Sequence, residues 1–478
     1  MADQKPLVLD ADGTFLRTDM LLETFWAGLG KDPIRVIRTS FANLRNRAKL
    51  KAELAEIADI RADLLPVNEA VAELARESVA AGREVIIASA SDISLVEPLA
   101  KAHGLSDRVF ASENGVNLKG EAKAQALVNT FGEAGFDYAG NEPADRAIWD
   151  HAENALIVGD LPREEAALAK AGKSVSTLPG GWKMRDLIRA MRPHQWVKNI
   201  LLLLPMIAAH DFTLSTLFLV IAGMAAFSFA ASSIYIVNDL LDLEADRLHK
   251  TKCKRPFASG EVPILVGMFA CKGLGILALG IGYLLGPAFF GVVALYMLLS
   301  LSYSLRLKRM RWIDIACLAG LYTLRVVAGA AASQVDVSGY LLVFIYPIFL
   351  TLGCVKRLTE LSLATNDDRL PGRGYGRKDR GDLLNVAALG MFATLLIFFM
   401  YSFTENALKL YPSQWLLWAA LIPMAAWLYR MMRLGYFGKQ DYDPIVFAMR
   451  DKRGIGLLLI TLALMFYAAG LFHQWFGF

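Results

Sequence analysis

A chain of 478 residues allows two domains or three, and a mean hydropathy of +0.39 with 55% apolar residues excludes a wholly soluble protein. The net charge of +4 says little by itself, and nothing in it calls for a nucleic-acid partner. Four cysteines (Cys253, Cys271, Cys317, Cys354) and six scattered histidines have the spacing of neither a disulfide framework nor a zinc site.

Residues 1–190 carry charges throughout and read as a soluble α/β chain. The N-terminus runs straight into an apolar strand, so no cleavable signal peptide is expected. That strand, Leu7-Val8-Leu9, ends in Asp10-Ala11-Asp12-Gly13-Thr14. Two carboxylates at a strand's carboxyl end, with a tight Gly turn behind them, suit a magnesium-bound aspartate nucleophile and an acid/base partner two residues on. A helical stretch follows over about 18–80, then a second strand, Val85–Ala88, ending in Ser89. Gly120-Glu121-Ala122-Lys123 opens another helix, and a third strand, Ala155–Val158, ends in Gly159-Asp160. Strands ending in polar groups and alternating with helices predict a parallel sheet with its site at the strands' carboxyl ends.

These four elements, in this order, resemble the haloacid dehalogenase (HAD) phosphatase superfamily over residues 6–175. The resemblance implies a Rossmann-like α/β domain over 1–175, with Asp10 as the nucleophile that forms an aspartyl-phosphate and Asp12 as general acid, then base. Ser89 and Lys123 would hold the phosphoryl oxygens, and magnesium would sit on Asp10, Asp12 and Asp160. The 18–80 insertion would be a helical cap. The last motif departs from the usual pattern, with Glu164 where a second Asp is usual; Glu can serve there as a longer outer-sphere ligand. A degenerate HAD fold kept for regulation is the alternative.

A linker over 176–190 leads to nine predicted spans, at about 199–211, 214–237, 262–285, 287–303, 312–333, 339–356, 385–403, 413–430 and 455–475. The loops at 238–262, 303–312, 356–381 and 429–454 hold 5, 4, 7 and 6 Lys or Arg, while the alternate loops hold only Lys409. An excess of 22 to 1 by loop parity places the basic loops and the N-terminal domain in the cytoplasm of a bacterial inner membrane, with Phe478 periplasmic.

The second span ends in Asn238-Asp239-Leu240-Leu241-Asp242-Leu243-Glu244-Ala245-Asp246. On a continuous helix Asn238, Asp242 and Asp246 share one face, with Asp239 on its flank. Such a cluster at a membrane helix end repels itself unless cations neutralise it, and magnesium bridging to a diphosphate does so economically.

The pattern N-D-x-x-D-x-x-x-D resembles the UbiA superfamily of intramembrane prenyltransferases, which implies an all-α nine-helix bundle over 191–478 with magnesium on Asp239, Asp242 and Asp246. Tyr303-Ser304 and Lys308 match that family's second region, but only Asp314 stands where aromatic prenyltransferases carry a carboxylate pair. Arg192–Asn199 (including Lys198), Thr251-Lys252, Arg255-Pro256, Asp314 with Arg325, and Lys356-Arg357 with Glu360 resemble the decaprenyl-phosphate phosphoribosyltransferase branch instead. That resemblance implies phosphoribosyl diphosphate (PRPP) as donor and a polyprenyl phosphate as acceptor. Asp239 and Asp242 would be the central magnesium carboxylates, and Lys198, Asn238, Lys254, Arg255, Tyr303, Lys308, Arg325, Lys356 and Arg357 would contact substrate. The expected whole is a bifunctional enzyme: phosphoribosyl transfer, then removal of the ribose 5-phosphate by the HAD domain. Prenyl transfer to an aromatic or lipid acceptor, and a non-catalytic membrane scaffold, stay as alternatives. A homo-oligomer and contacts with membrane lipids are compatible with either.

Overall fold

The structure is a computed structural model that describes residues 4–113, 116–335, 339–364, 374–440 and 443–477. It forms two compact units, residues 1–191 with 235–272, and residues 192–234 with 273–478. Part of the basic 356–381 loop, and Phe478, lie outside the described residues.

Among the described residues of the first unit six parallel strands line up in the order β3-β2-β1-β4-β5-β6. They are β1 (Leu7–Asp10), β2 (Val85–Asp92), β3 (Val109–Ser112), β4 (Asp137–Gly140), β5 (Asn154–Val158) and β6 (Ser174–Leu178). The run Leu7-Val8-Leu9 is apolar throughout because both faces of the sheet are covered. Leu7 and Leu9 join a core with Phe15, Val85 and Val96, while Val8 faces the opposite core with Ile86, Tyr138 and Trp149. The chain runs from β1 to β2 on one side and returns to β4 on the other, so the order reverses at β1 and a crevice opens at its carboxyl end. The expected end of β2 at Ser89 is passed: the strand continues to Asp92 through a register shift after Ala88.

Within the predicted insertion, α1 (Met20–Lys31), α2 (Pro33–Ala42) and α3 (Arg47–Ala58) start on side-chain caps from Asp19, Asp32 and Asn46. They pack around Val36, Leu54 and Ile57. The following helix, Glu69–Ala80, belongs to the sheet's own core through Val71, Ala72 and Ala75, so the insertion proper ends before it.

Among the described residues seven helices are long and apolar enough to cross a membrane, at Leu214–Leu241, Ile264–Leu285, Pro287–Leu305, Arg311–Ser333, Gly339–Leu363, Arg377–Tyr401 and Gln414–Tyr436. They coincide with the second to eighth predicted spans, and the chain is a multi-pass membrane protein. The first predicted span is instead a 3-10 helix, Pro193–Leu203, running into a five-residue helix, Leu204–Ala208. Pro193 and Pro205 each remove an amide donor there. The ninth is a 17-residue helix, Lys452–Ala468, stopped by Gly470 at φ +71° before a short turn of helix.

Candidate active sites

At the mouth of the sheet's crevice Asp10 ends β1, buried. Its Oδ1 accepts from Lys123 Nζ at 2.5 Å. Lys123 lies in the first turn of α4 (Glu121–Phe131) and also donates to the Ala88 carbonyl and the Tyr138 hydroxyl. Tyr138 donates in turn to Asp145 at 2.9 Å, whose second oxygen accepts the Asn141 and Glu142 amides. A Cβ at Gly140 would stand 2.6 Å from the Asp145 carboxyl, so this approach needs glycine. Asp12 accepts from the Met20 amide at 2.8 Å and from Ser91 Oγ at 2.9 Å, with Ser89 Oγ farther off at 3.5 Å. Asp160 stands exposed after β5, and Glu164 pairs with Arg146.

Electrostatically the crevice carries an excess of carboxylates. Burial pushes the Asp10 carboxyl up to about 7 against the pull of Lys123, with Asp145 and Asp12 adding to the rise. Burial also raises Asp19 to about 6, helped by Asp12. For Lys123 burial alone would lower the ammonium, but Asp10 and Asp145 outweigh it and hold it above its ordinary value. Lys51 reaches in from α3 to the Ala90 carbonyl at 2.5 Å, and burial draws its ammonium down despite Asp12 and Asp19. Tyr138, Asp145, Ser91 and Lys51 were not anticipated from the sequence.

The second carboxylate group departs from the expected single face. The Leu214–Leu241 helix stops at Asp242, and a five-residue helix, Leu243–Arg247, starts after it. The i, i+4, i+8 stripe is therefore interrupted. What converges instead is Asp239 with Asp246, both on Arg255 Nη1 at 3.1 and 2.6 Å. Burial pushes the Asp246 carboxyl above its ordinary value even beside Arg255. The Asn238 side-chain oxygen is buried with no hydrogen-bond donor among the described residues, and Lys254 is exposed.

Among the described residues no three His, Cys, Asp or Glu side chains gather closely enough to hold a metal. Lys123 and Ser91 hold oxygens of the first set, and Arg255 those of the second. The donor chemistry nonetheless fits magnesium at both places. Burial raises the affinity of the Asp10 and Asp246 carboxyls for protons despite Lys123 and Arg255, and Asn238 adds an orphaned oxygen.

In the second unit Lys198 pairs with Asp443, which also lies 4.0 Å from Lys356 Nζ. Asp443 caps the Pro444–Ala448 helix through the Ile445 and Val446 amides. Burial alone would raise it, but Lys198 and Lys356 hold its carboxyl well below the usual range. Asp443 too was not anticipated. The Tyr322 ring joins this cluster to Arg325, with Lys198 Nζ 5.9 Å and the Arg325 guanidinium 5.2 Å from its centroid. Arg325 is buried and donates to Asn199, Tyr296 and the Leu321 carbonyl.

Nearby in sequence, Arg357 is fully buried and grips Asp314 with two bonds of 2.6 and 2.8 Å, Tyr303 at 2.9 Å and Glu360 at 2.5 Å. The lone aspartate is thus the anchor for an arginine that orients the end of the helix bearing Lys356. Lys308 is half-buried at the start of this region.

Residues 200–449 match the UbiA prenyltransferase family. An uncharacterised protein of Sinorhizobium fredii, y4nM, is 35% identical over 96% of this chain and 90% of its own length, a match that runs through both halves. Decaprenyl-phosphate phosphoribosyltransferase of Mycobacterium tuberculosis is 29% identical over 59% of this chain and 93% of its own. A solved UbiA homolog from Archaeoglobus fulgidus, bound to GPP and Mg2+, aligns at 14% identity and a TM-score of 0.45 over 59% of this chain and 99% of that one. With its family model covering over half of the residues, this chain belongs to the UbiA prenyltransferase family.

Proposed function

We propose that the membrane half transfers 5-phosphoribosyl from PRPP to a polyprenyl phosphate, and that the α/β half then removes the ribose 5-phosphate. The observation that carries the first step is the Lys198–Asp443–Lys356 cluster, two ammonium groups around one carboxylate, in a chain that also bears the Asp239–Asp246 loop. A donor with a 5-phosphate as well as a diphosphate calls for both kinds of group. In the transfer the ribose C1–diphosphate bond breaks and a bond forms from C1 to the acceptor phosphate oxygen. The acceptor is already an anion, so no general base is required, and catalysis reduces to alignment and charge cancellation. Asn238, Asp239, Asp242 and Asp246 would hold magnesium, which when bound would offset the diphosphate's charge.

For the second step, Asp10 attacks the 5-phosphate phosphorus while Asp12 gives the leaving ribose oxygen a proton. Asp12 then takes a proton from the water that opens the aspartyl-phosphate. Lys123 favours the ionised nucleophile through its bond to Asp10, and with Ser89 it would meet the phosphoryl oxygens. Asp10, Asp12 and Asp160 would hold magnesium here, and the α1–α3 insertion would cover the site.

The test is a mass-spectrometric product assay on the purified chain with magnesium, polyprenyl phosphate and either PRPP or a prenyl diphosphate. Polyprenylphosphoryl ribose from PRPP is the expected product. Product only from the prenyl diphosphate, with PRPP untouched, overturns the reading.

A further inference from the structure

The loop that carries Asp242 and Asp246 belongs to the same compact unit as the α/β fold, and the contacts that put it there are specific. Glu23 on α1 and Arg247 at the end of the Leu243–Arg247 helix form a two-bond ion pair, at 2.5 and 3.1 Å. Their side chains are only 3% and 8% exposed. Glu23 also accepts from Thr18 Oγ1 at 2.7 Å, and Arg247 Nε donates to the Ala258 carbonyl at 3.1 Å. Gly260, at φ +71°, passes so close that a Cβ there would stand 2.5 Å from the Arg17 Cβ and 3.0 Å from Pro66. Arg189 forms an ion pair with Glu261 beside it.

A buried ion pair is weak evidence for stability, since apolar side chains would cover the same area as well; its usual return is register. Register is what this loop lacks by itself. The helix break at Asp242 leaves a five-residue helix that cannot hold its own orientation. Arg247 follows Asp246 directly, and Asp246 meets Asp239 on Arg255. At the other end Glu23 lies one turn into α1, whose Met20 amide binds Asp12.

We propose that the α/β fold is the positioning partner of the carboxylate loop: Glu23 fixes Arg247 and thereby sets Asp246 for the donor. Glu23 and Arg247 are positioning residues, and the recognised partner is a segment of the same chain. The proposal rests on reading the loop as the donor site, so its first readout needs no substrate.

In the full-length chain in nanodiscs, Glu23→Gln should raise hydrogen exchange across 243–261 about tenfold over wild type. Gly260→Ala, which wedges the same contact without touching either charge, should do likewise. In the transfer assay Glu23→Gln should raise the KM for PRPP about tenfold with little loss of kcat. The double variant Glu23→Arg with Arg247→Glu should recover most of both effects. Wild-type exchange across 243–261 in both single variants overturns the proposal, as does a loss confined to kcat. A wild-type chain that ignores PRPP sinks the donor reading and leaves the exchange result to decide the positioning role.

Discussion

Burial pushes the Asp10 carboxyl up to about 7, yet Lys123, 2.5 Å away, favours its ionised form. On the proposed reading Asp10→Asn removes the nucleophile while keeping the shape, so the lipid should keep its 5-phosphate and that intermediate should accumulate, with transfer intact. Asp12→Asn should act less completely, since it loses proton transfer alone. Chromatography of the lipid products checks both, and dephosphorylated ribose lipid from the Asp10 variant would remove Asp10 from the role. Asp443 is the opposite case, held low by Lys198 and Lys356 against the effect of burial. A carboxyl depressed in the folded state stabilises above its ordinary pKa, and that contribution is lost as pH falls below about 4. Asp443→Asn should therefore cost up to about 3–5 kcal/mol at neutral pH by taking the buried carboxylate away from Lys198 and Lys356. Thermal melts in detergent should show a gap from wild type that is constant from about pH 5 to 8 and narrows below about 4. A gap that widens in acid contradicts the pairing. Asp10, Asp12 and Lys123 were legible because each ends or starts an element in a short motif. Tyr138 and Asp145 were not, because their meeting depends on β4 lying beside β1 and on Gly140 letting Asp145 fold back. Asp443 was hidden for a similar reason, lying 245 residues from the lysine it holds.

The carboxylate loop shows what spacing alone misses at the level of an element. A regular 3.6-residue repeat was read through Asp242, but the helix stops there and Asp246 returns to Asp239 through Arg255. Asp239→Ala and Asp242→Ala should each abolish transfer at saturating magnesium while the bundle stays folded, as read by gel filtration and circular dichroism. Asp246→Ala should be nearly as damaging, since it also leaves Arg255 with one carboxylate instead of two. Full transfer by the Asp242 variant would move the donor elsewhere. Strand β4 escaped notice because Asp-Tyr-Ala-Gly is no apolar run: Asp137 is buried against Arg83 and Asn154, and Tyr138 against Lys123. The first predicted span is one apolar stretch in the sequence, and Pro205 in its middle marks where a regular helix fails.

Across the whole molecule the basic loops alternate with nearly neutral ones, and the seven long helices match the spans that define that alternation. In a variant lacking the four native cysteines, an impermeant maleimide added outside should label Lys409→Cys and spare Lys254→Cys. The reverse pattern would invert the topology. The ion pair at Glu23 and Arg247 has a further consequence, for how such a chain is made. Its partners lie 224 residues apart. At about 5–20 residues per second, Arg247 is synthesised about 10–45 s after Glu23. All six strands have emerged by then, but Glu23 has Thr18 alone for a side-chain partner until Arg247 follows the Leu214–Leu241 helix out of the ribosome. The α/β half therefore acquires this contact only after its own strands are complete, and a product cut short before Arg247 leaves Glu23 without its arginine and the unfinished fold open to the proteases that survey such chains.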